Sequence, residues 1–295
     1  MRTRSKPSWL GRKIDFRKLH ETEAPLAGLN LHTVCSQAKC PNISECYSKK
    51  TATFMILGDT CTRGCLFCAV SKGVPEFWAP DEHERVSEAA SRLGLKYAVI
   101  TSVTRDDLPD GGAGAFVKVI RALKDKISGI RVEVLVPDFQ GDFSCVDAVC
   151  AAAPDVFGHN VETVPEMYAV RTGASFERSL SVLKRAKDNG MTTKSALLLG
   201  FGETKEQVIK AMKRLRGADC DYLSIGQYLQ PDASRIEVKE YVVPEVFEEL
   251  KQDGIKMGFK HVESAPYVRS SYRAERYIKV RKDRRQKTEG ENKEK

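Results

Sequence analysis

From Thr51 onward, short apolar runs alternate with stretches in which apolar residues recur every three or four positions. The runs cover residues 51–57, 97–103, 131–136, 156–160, 194–199 and 222–227, each the length of a buried strand. Between the first two, Asp81 and Glu84 predict a capping box. Val86, Ala89, Ala90 and Leu93 then share one helix face before Gly94 stops it. Thr204 with Gln207 predicts a second box, leading a stripe of Val208, Ala211, Met212 and Leu215. Residues 175–189 end in the same manner at Gly190, and a shorter helix over 145–150 is broken by Pro154. Such alternation predicts right-handed βα units around six parallel strands, either closed into a barrel or open as a doubly wound sheet. Periodicity does not choose between them. In both, reactive residues belong in loops after the strand C-termini: after the first strand, at 104–107 and at 160–162.

Outside this core, residues 1–50 carry Pro7, Pro25 and Pro41 with little periodicity, which predicts an irregular N-terminal extension. The βα core is assigned to 51–240. A C-terminal extension, 241–280, holds a helical stretch at 244–251, an apolar run at 259–262 and the tetrapeptide Arg269-Ser270-Ser271-Tyr272. Residues 281–295 are polar without an aromatic and are expected to be a disordered basic tail.

Charge narrows the partners. The net +8 is concentrated at the ends: +6 in residues 1–20 and +4 in residues 279–295, so the remaining residues sum to −2. The near-neutral remainder weakens a nucleic-acid reading, and such basic ends can steer an acidic protein partner, touch nucleic acid or simply solvate the termini. No apolar run approaches the ~20 residues of a membrane span. Residues 1–30 lack the apolar core of a secretory signal, and the expected compartment is the cytoplasm.

Nine cysteines then change the picture, because six of them fall within residues 35–68. Cys35, Cys40 and Cys46 are spaced C-x4-C-x5-C; Cys61, Cys65 and Cys68 are spaced C-x3-C-x2-C. Thiolates this close can converge on soft metal centres. Three are one short of a closed site, so each triplet needs a fourth ligand from elsewhere. Structural zinc knuckles instead favour C-x2-C pairs with a matching pair or histidine, and the nearest histidine, His83, lies inside a helix pattern. Cys145, Cys150 and Cys220 sit among apolar residues and read as core thiols. Gly111, Gly112 and Gly114 lack the Lys-Ser/Thr ending of a phosphate loop and read as a turn before a helix.

The loop Cys61-Thr62-Arg63-Gly64-Cys65-Leu66-Phe67-Cys68, with an aromatic before its last cysteine, resembles the signature loop of the radical S-adenosylmethionine superfamily. Flanking segments are similar to the lipoyl synthase family in order along residues 7–278. They include Val34 to Cys46, Thr101 to Gly112, His159-Asn160-Val161-Glu162-Thr163, Leu199 to Thr204, Ile225 to Pro231 and Arg269-Ser270-Ser271-Tyr272. The resemblance implies a partial six-stranded (β/α) TIM-like barrel with N- and C-terminal extensions. It implies two [4Fe–4S] clusters and S-adenosylmethionine as cofactors. One cluster is held by Cys61, Cys65 and Cys68; the other is an auxiliary cluster on Cys35, Cys40 and Cys46, with Ser271 as its fourth ligand. The expected reaction places two sulfur atoms at C6 and C8 of a protein-bound octanoyl-lysine.

The same resemblance implies the partners. They are octanoylated lipoyl carrier domains (2-oxoacid dehydrogenase E2 or glycine cleavage H protein), a ferredoxin or flavodoxin type reductant, and an iron–sulfur carrier that repairs the auxiliary cluster. Neither membrane nor nucleic acid is expected. A site for S-adenosylmethionine needs a cation for its carboxylate, for which Arg171 is the candidate. Asn160 and Glu162 are the candidates for its ribose hydroxyls. Asp106 and Asp107 also fall at the mouth, where a surface ion pair is the plainer role. The chain departs from many relatives in having Arg273-Ala274-Glu275 after the serine pair, where a His-Ala-Asp type run is expected. Two alternatives remain: a radical methylthiotransferase acting on tRNA or a ribosomal protein, and a non-enzymatic cluster or zinc protein that binds nucleic acid.

Overall fold

Alternate positions along the strands sort two faces of one sheet, an apolar one packed against helices and an inward one that carries Glu133, Lys194 and Ser224. The computed structural model describes residues 6–11, 28, 29, 31–33, 42, 45, 46, 51–76 and 78–277. Its strands are β1 (His32–Thr33), β2 (Thr51–Ile56), β3 (Thr60–Cys61), β4 (Ser71–Lys72) and β5 (Tyr97–Ser102). They continue as β6 (Arg131–Leu135), β7 (Val156–Gly158), β8 (Thr193–Leu199), β9 (Tyr222–Gln227) and β10 (His261–Ser264). The main sheet runs β1-β2-β5-β6-β7-β8-β9-β10, all parallel except the β1–β2 pair. The six expected strands are therefore its middle, and each extension adds one more at an edge. Neighbours in sequence are neighbours in the sheet throughout, as in a barrel and unlike a doubly wound fold.

The helices are α1 (Glu82–Arg92), α2 (Ala113–Lys126), α3 (Phe143–Ala151), α4 (Phe176–Asp188), α5 (Lys205–Gly217) and α6 (Pro244–Lys256). At α5 the expected capping box forms, with Thr204 and Gln207 each bonding the other's backbone. Ser175 caps α4 by accepting from the Arg178 N–H. The box expected at Asp81 does not form: its side chain caps no N–H and faces Arg85 Nε at 3.4 Å. An ion pair one turn on takes the carboxylate away from the backbone. The glycine run does make a turn: Gly112 precedes α2 at φ 88°, and a Cβ there would meet Leu57 Cδ1 at 2.2 Å. Cys145, Cys150 and Cys220 are core thiols, and burial pushes the last two up to about 12. No described helix is long and apolar enough to cross a membrane.

Ala98, Ile100, Val132 and Val134 pack outward in one apolar cluster, and Leu197, Leu199, Leu223 and Ile225 in another. The inward positions between them are Tyr97, Val99, Glu133, Lys194 and Ser224. Glu133 and Lys194 are almost completely buried, yet pair across three strands with Nζ to Oε1 at 2.9 Å. Tyr97 donates to the other oxygen of Glu133 at 2.6 Å. The chain after β10 turns inward to complete this core. Ala274 packs on Tyr97 and Val99, and the Tyr277 ring lies 4.0 Å from Lys194 Nζ with its hydroxyl 2.8 Å from that of Ser224. Gly226 admits the returning segment, since a Cβ there would stand 2.0 Å from the Val268 carbonyl oxygen.

Lys194→Met is expected to lower stability by ~3–5 kcal/mol, because Glu133 is then left buried without its cation. Chemical unfolding measures the loss, and adding Glu133→Leu should recover most of it. A single variant as stable as the parent would show that the pair contributes nothing.

Candidate active site at the mouth of the barrel

After β2 the chain reverses through Leu57 (φ 69°) and Gly58 (φ 90°), and the Leu57 N–H is received by Glu82 at 2.9 Å. This turn delivers Cys61 at the end of β3 and then the loop to Cys68, above the C-terminal ends of the barrel strands. Several contacts hold the loop without using a thiol. Thr62 bonds the Thr104 carbonyl through both its N–H and its hydroxyl, each at 3.0 Å. The Leu66 N–H reaches the Val170 carbonyl at 2.9 Å, and the Thr172 hydroxyl donates to the Gly64 carbonyl at 3.0 Å. Phe67 packs on Phe201 at 5.7 Å, which stacks on Tyr228 at 4.6 Å. That contact is the physical role of the aromatic before the third cysteine.

Arg63 is the centre of the clamp. Its guanidinium meets both oxygens of Asp106, at 2.6 and 2.8 Å, and Asp138 at 2.7 Å. Burial opposes its charge, but the two carboxylates overcome this and raise its pKa. Asp138 is itself fully buried, and Arg63 holds it down to about 2 against that burial. The loop is thereby tied to the ends of two neighbouring strands, β5 and β6. Asp106 and Asp107 serve as ion-pair partners, of Arg63 and Arg105 respectively. Sequence reasoning passed over Arg63 and Asp138, which are 75 positions apart; the one available signal was an arginine inside a cysteine triplet.

Cys61, Cys65 and Cys68 are all half-buried and lie close enough to affect one another. Burial pushes the Cys65 thiol up to about 11, with the other two thiols and Glu162 adding to it and Arg171 opposing. Cys68 is raised for the same leading reason. Among the described residues, no three His, Cys, Asp or Glu side chains converge on a point where they could hold a single ion. A cubane makes a different demand, because each thiolate binds a different iron. Three soft donors on one clamped loop fit that group.

The other candidates gather on the same side. Asn160 donates to Glu162 Oε1 at 3.0 Å, and Glu162 is held at φ 64°. Burial raises the Glu162 pKa, with Arg171 and the Asn160 bond opposing. Arg171 ends the turn over Pro165–Val170 and donates from Nη1 to Tyr168 and Ser179. Ser270 donates to Asn160 Oδ1 at 3.0 Å, so the C-terminal segment reaches this mouth.

Ser271 stands between that contact and a second one. Tyr272 donates to Glu45 Oε2 at 2.9 Å, and Arg273 meets Glu45 Oε1 at 3.1 Å. Glu45 is the neighbour of Cys46, and the Asn42 side chain donates to the Tyr267 carbonyl at 2.6 Å. The segment around Cys46 and the segment around Ser271 are thus bound together from both sides. Arg273, the departure from the expected run, is one of the groups that hold Glu45. Cys35, Cys40 and the tail 281–295 lie outside the described residues.

A triad of cysteines clamped above a parallel βα barrel defines a class. The chain belongs to the radical SAM superfamily, whose family model matches residues 55–215. The barrel is shared with methylornithine synthase PylB, at TM-score 0.55 and 14% identity over 84% of this chain and 75% of that one. It is also shared with the hydrogenase maturase HydG, at TM-score 0.57 and 14% identity over 85% and 63%. Within the superfamily the chain belongs to the lipoyl synthase family. It is 54% identical to the lipoyl synthase of Caldanaerobacter subterraneus subsp. tengcongensis over 92% of this chain and 96% of that one. Its identity to the lipoyl synthase of Aquifex aeolicus is also 54%, over 88% and 96%.

Proposed function

We propose that this chain inserts two sulfur atoms, at C6 and C8, into an octanoyl chain carried on a lysine of a lipoyl carrier domain, consuming S-adenosylmethionine. The observation that carries this reading is the 54% identity to lipoyl synthases along more than nine-tenths of the chain. Cys61, Cys65 and Cys68 hold one [4Fe–4S] cluster. Cys35, Cys40, Cys46 and Ser271 hold a second. When bound, the clusters supply an electron for splitting the sulfonium and the sulfur that is inserted.

The chain's own residues do the rest. Arg171 offers a cation to the methionyl carboxylate, and Asn160 and Glu162 offer hydrogen bonds to the ribose hydroxyls. Glu45 gathers Tyr272 and Arg273, which keeps Ser271 beside the Cys46 segment. A serine oxygen is a weaker partner for iron than a thiolate, so a site closed by Ser271 is one that can open. The carrier domains are of the E2 or H-protein type, a ferredoxin or flavodoxin type protein brings electrons, and an iron–sulfur carrier restores the second cluster. The protein works in the cytoplasm.

Anaerobically reconstituted enzyme, supplied with reductant and an octanoylated carrier domain, should yield lipoyl groups seen by mass spectrometry. Methylthiolated product, or none, would end the reading. Glu45→Gln is expected to loosen the Arg273 contact, and iron and sulfide should fall from ~8 of each per chain toward ~4, with S-adenosylmethionine cleavage kept. Full iron content in that variant would remove the clamp's role.

A further inference from the structure

Behind the mouth, four polar side chains form a hydrogen-bonded chain whose hydrogens can run in only one direction. It begins at the main chain after β6. The Val136 carbonyl can only accept, and it lies 2.9 Å from His159 Nδ1, so that nitrogen carries the ring hydrogen. Burial, helped by the charge of Arg171, lowers the His159 pKa to about 3. The ring is therefore neutral and Nε2 is a bare acceptor. Nε2 lies 3.0 Å from the Ser179 hydroxyl, which must donate to it. With its one hydrogen spent, Ser179 can only accept from the Tyr168 hydroxyl at 2.9 Å and from Arg171 Nη1 at 2.9 Å. Tyr168, donating to Ser179, in turn accepts from Arg171 Nη1 at 2.7 Å. Both hydrogens of Nη1 are thus committed. Among the described residues, Nε and Nη2 of Arg171 make no hydrogen bond.

His159 and Ser179 are completely buried. A buried polar network is costly unless every member is satisfied, and once satisfied it is rigid. Fixing an arginine side chain costs rotamer freedom, and a ligand must otherwise supply that. Here the backing is complete before any ligand arrives, and it serves a cation that faces Cys65 and Glu162 electrostatically.

We propose that His159, Ser179 and Tyr168 are positioning residues that hold the Nη1 edge of Arg171, leaving its remaining N–H groups set for the carboxylate of S-adenosylmethionine. This inference rests on the role given to Arg171 above. His159 carries the orientation of the strand end into the chain, Ser179 converts it into two acceptor contacts, and Tyr168 closes the triangle. Preorganisation of this kind acts on binding more than on turnover at saturation.

Tyr168→Phe is the gentlest test, because it keeps the ring that packs edge-on against Phe176 at 5.6 Å. Ser179→Ala removes the junction itself. In reconstituted enzyme each is expected to raise the S-adenosylmethionine Kd about tenfold, with iron content unchanged and the cleavage rate at saturation nearly so. The same changes in an Arg171→Met background should then have no further effect, because interacting residues are non-additive. Additive losses there, or an unchanged Kd in Tyr168→Phe and Ser179→Ala with Arg171 intact, would overturn the proposal alone. An unchanged Kd in Arg171→Met by itself would overturn the docking role of Arg171 and the proposal with it. The His159 ring gives an independent readout. Its 15N spectrum at pH 7 should show a protonated Nδ1 and a bare Nε2, and the reverse tautomer would refute the direction of the chain.

Discussion

Replacing Cys65 by alanine is expected to abolish reductive cleavage of S-adenosylmethionine while leaving the protein folded. The second half of that expectation comes from the clamp. Arg63 with Asp106 and Asp138, Thr62 with Thr104, Leu66 with Val170 and Thr172 with Gly64 all hold the loop through atoms other than the thiols. The loop should stay in place, and thermal unfolding should shift by only a few degrees, as for a ~1 kcal/mol change. The first half comes from ligand count. Cys61, Cys65 and Cys68 would hold the cluster together, and two thiolates would not retain it, so iron and sulfide should fall from ~8 toward ~4 per chain. Methionine and 5′-deoxyadenosine should then disappear from the products. Cys150→Ala is the control: that thiol packs in the core, and its loss should leave iron content and cleavage unchanged. Undiminished 5′-deoxyadenosine formation by Cys65→Ala would remove the triplet from the chemistry. One zinc per chain with no acid-labile sulfide would replace the reading altogether.

What could be read from sequence was whatever is carried by local period. The six strand runs fell within two residues of the observed ends, and the Thr204 cap formed because it needs only a backbone N–H three positions away. Asp81 had the same pattern but a stronger local competitor in Arg85. The polar residues of the inner face were the hidden part. Lys194 and Glu133 sit in strands made mostly of apolar residues, and nothing at either site indicates a partner 61 residues away. The edge strand β10 was missed as a strand for a related reason, since its pairing with β9 is set by the whole barrel before it.

The site divides along the same line. Cysteine spacing, the aromatic at Phe67 and the tetrapeptide around Ser271 are short patterns and could be seen directly. Arg63, Glu45 and the His159–Ser179–Tyr168 chain act through contacts between distant segments, and no spacing rule finds them. His159 was visible only as the neighbour of Asn160. Its side chain turns into the protein toward Val136 and Ser179, whereas that of Asn160 meets Ser270.

Radical generation and sulfur insertion should separate cleanly when the second set of ligands is altered. Cys46→Ala is expected to keep methionine and 5′-deoxyadenosine formation in the presence of an octanoylated carrier, yet to give no lipoyl product. Cys46 lies next to the Glu45 clamp, whereas the loop from Cys61 to Cys68 is held through Arg63, Asp106 and Asp138. Ser271 offers the sharper discrimination. Its neighbours face two ways, Ser270 toward Asn160 and Tyr272 toward Glu45, so a change at 271 alone leaves both anchors in place. Ser271→Ala should lose most lipoyl formation with a partial loss of iron. Ser271→Cys should retain all its iron and still form little product, because a thiolate would hold iron more firmly than a serine oxygen. Ser270→Ala should be milder than either, since only its hydrogen bond to Asn160 is lost. Full lipoyl synthesis by Cys46→Ala would refute the division of labour between the two triplets. Full synthesis by both Ser271 variants would remove the serine from the ligand set and leave the cysteines where they stand.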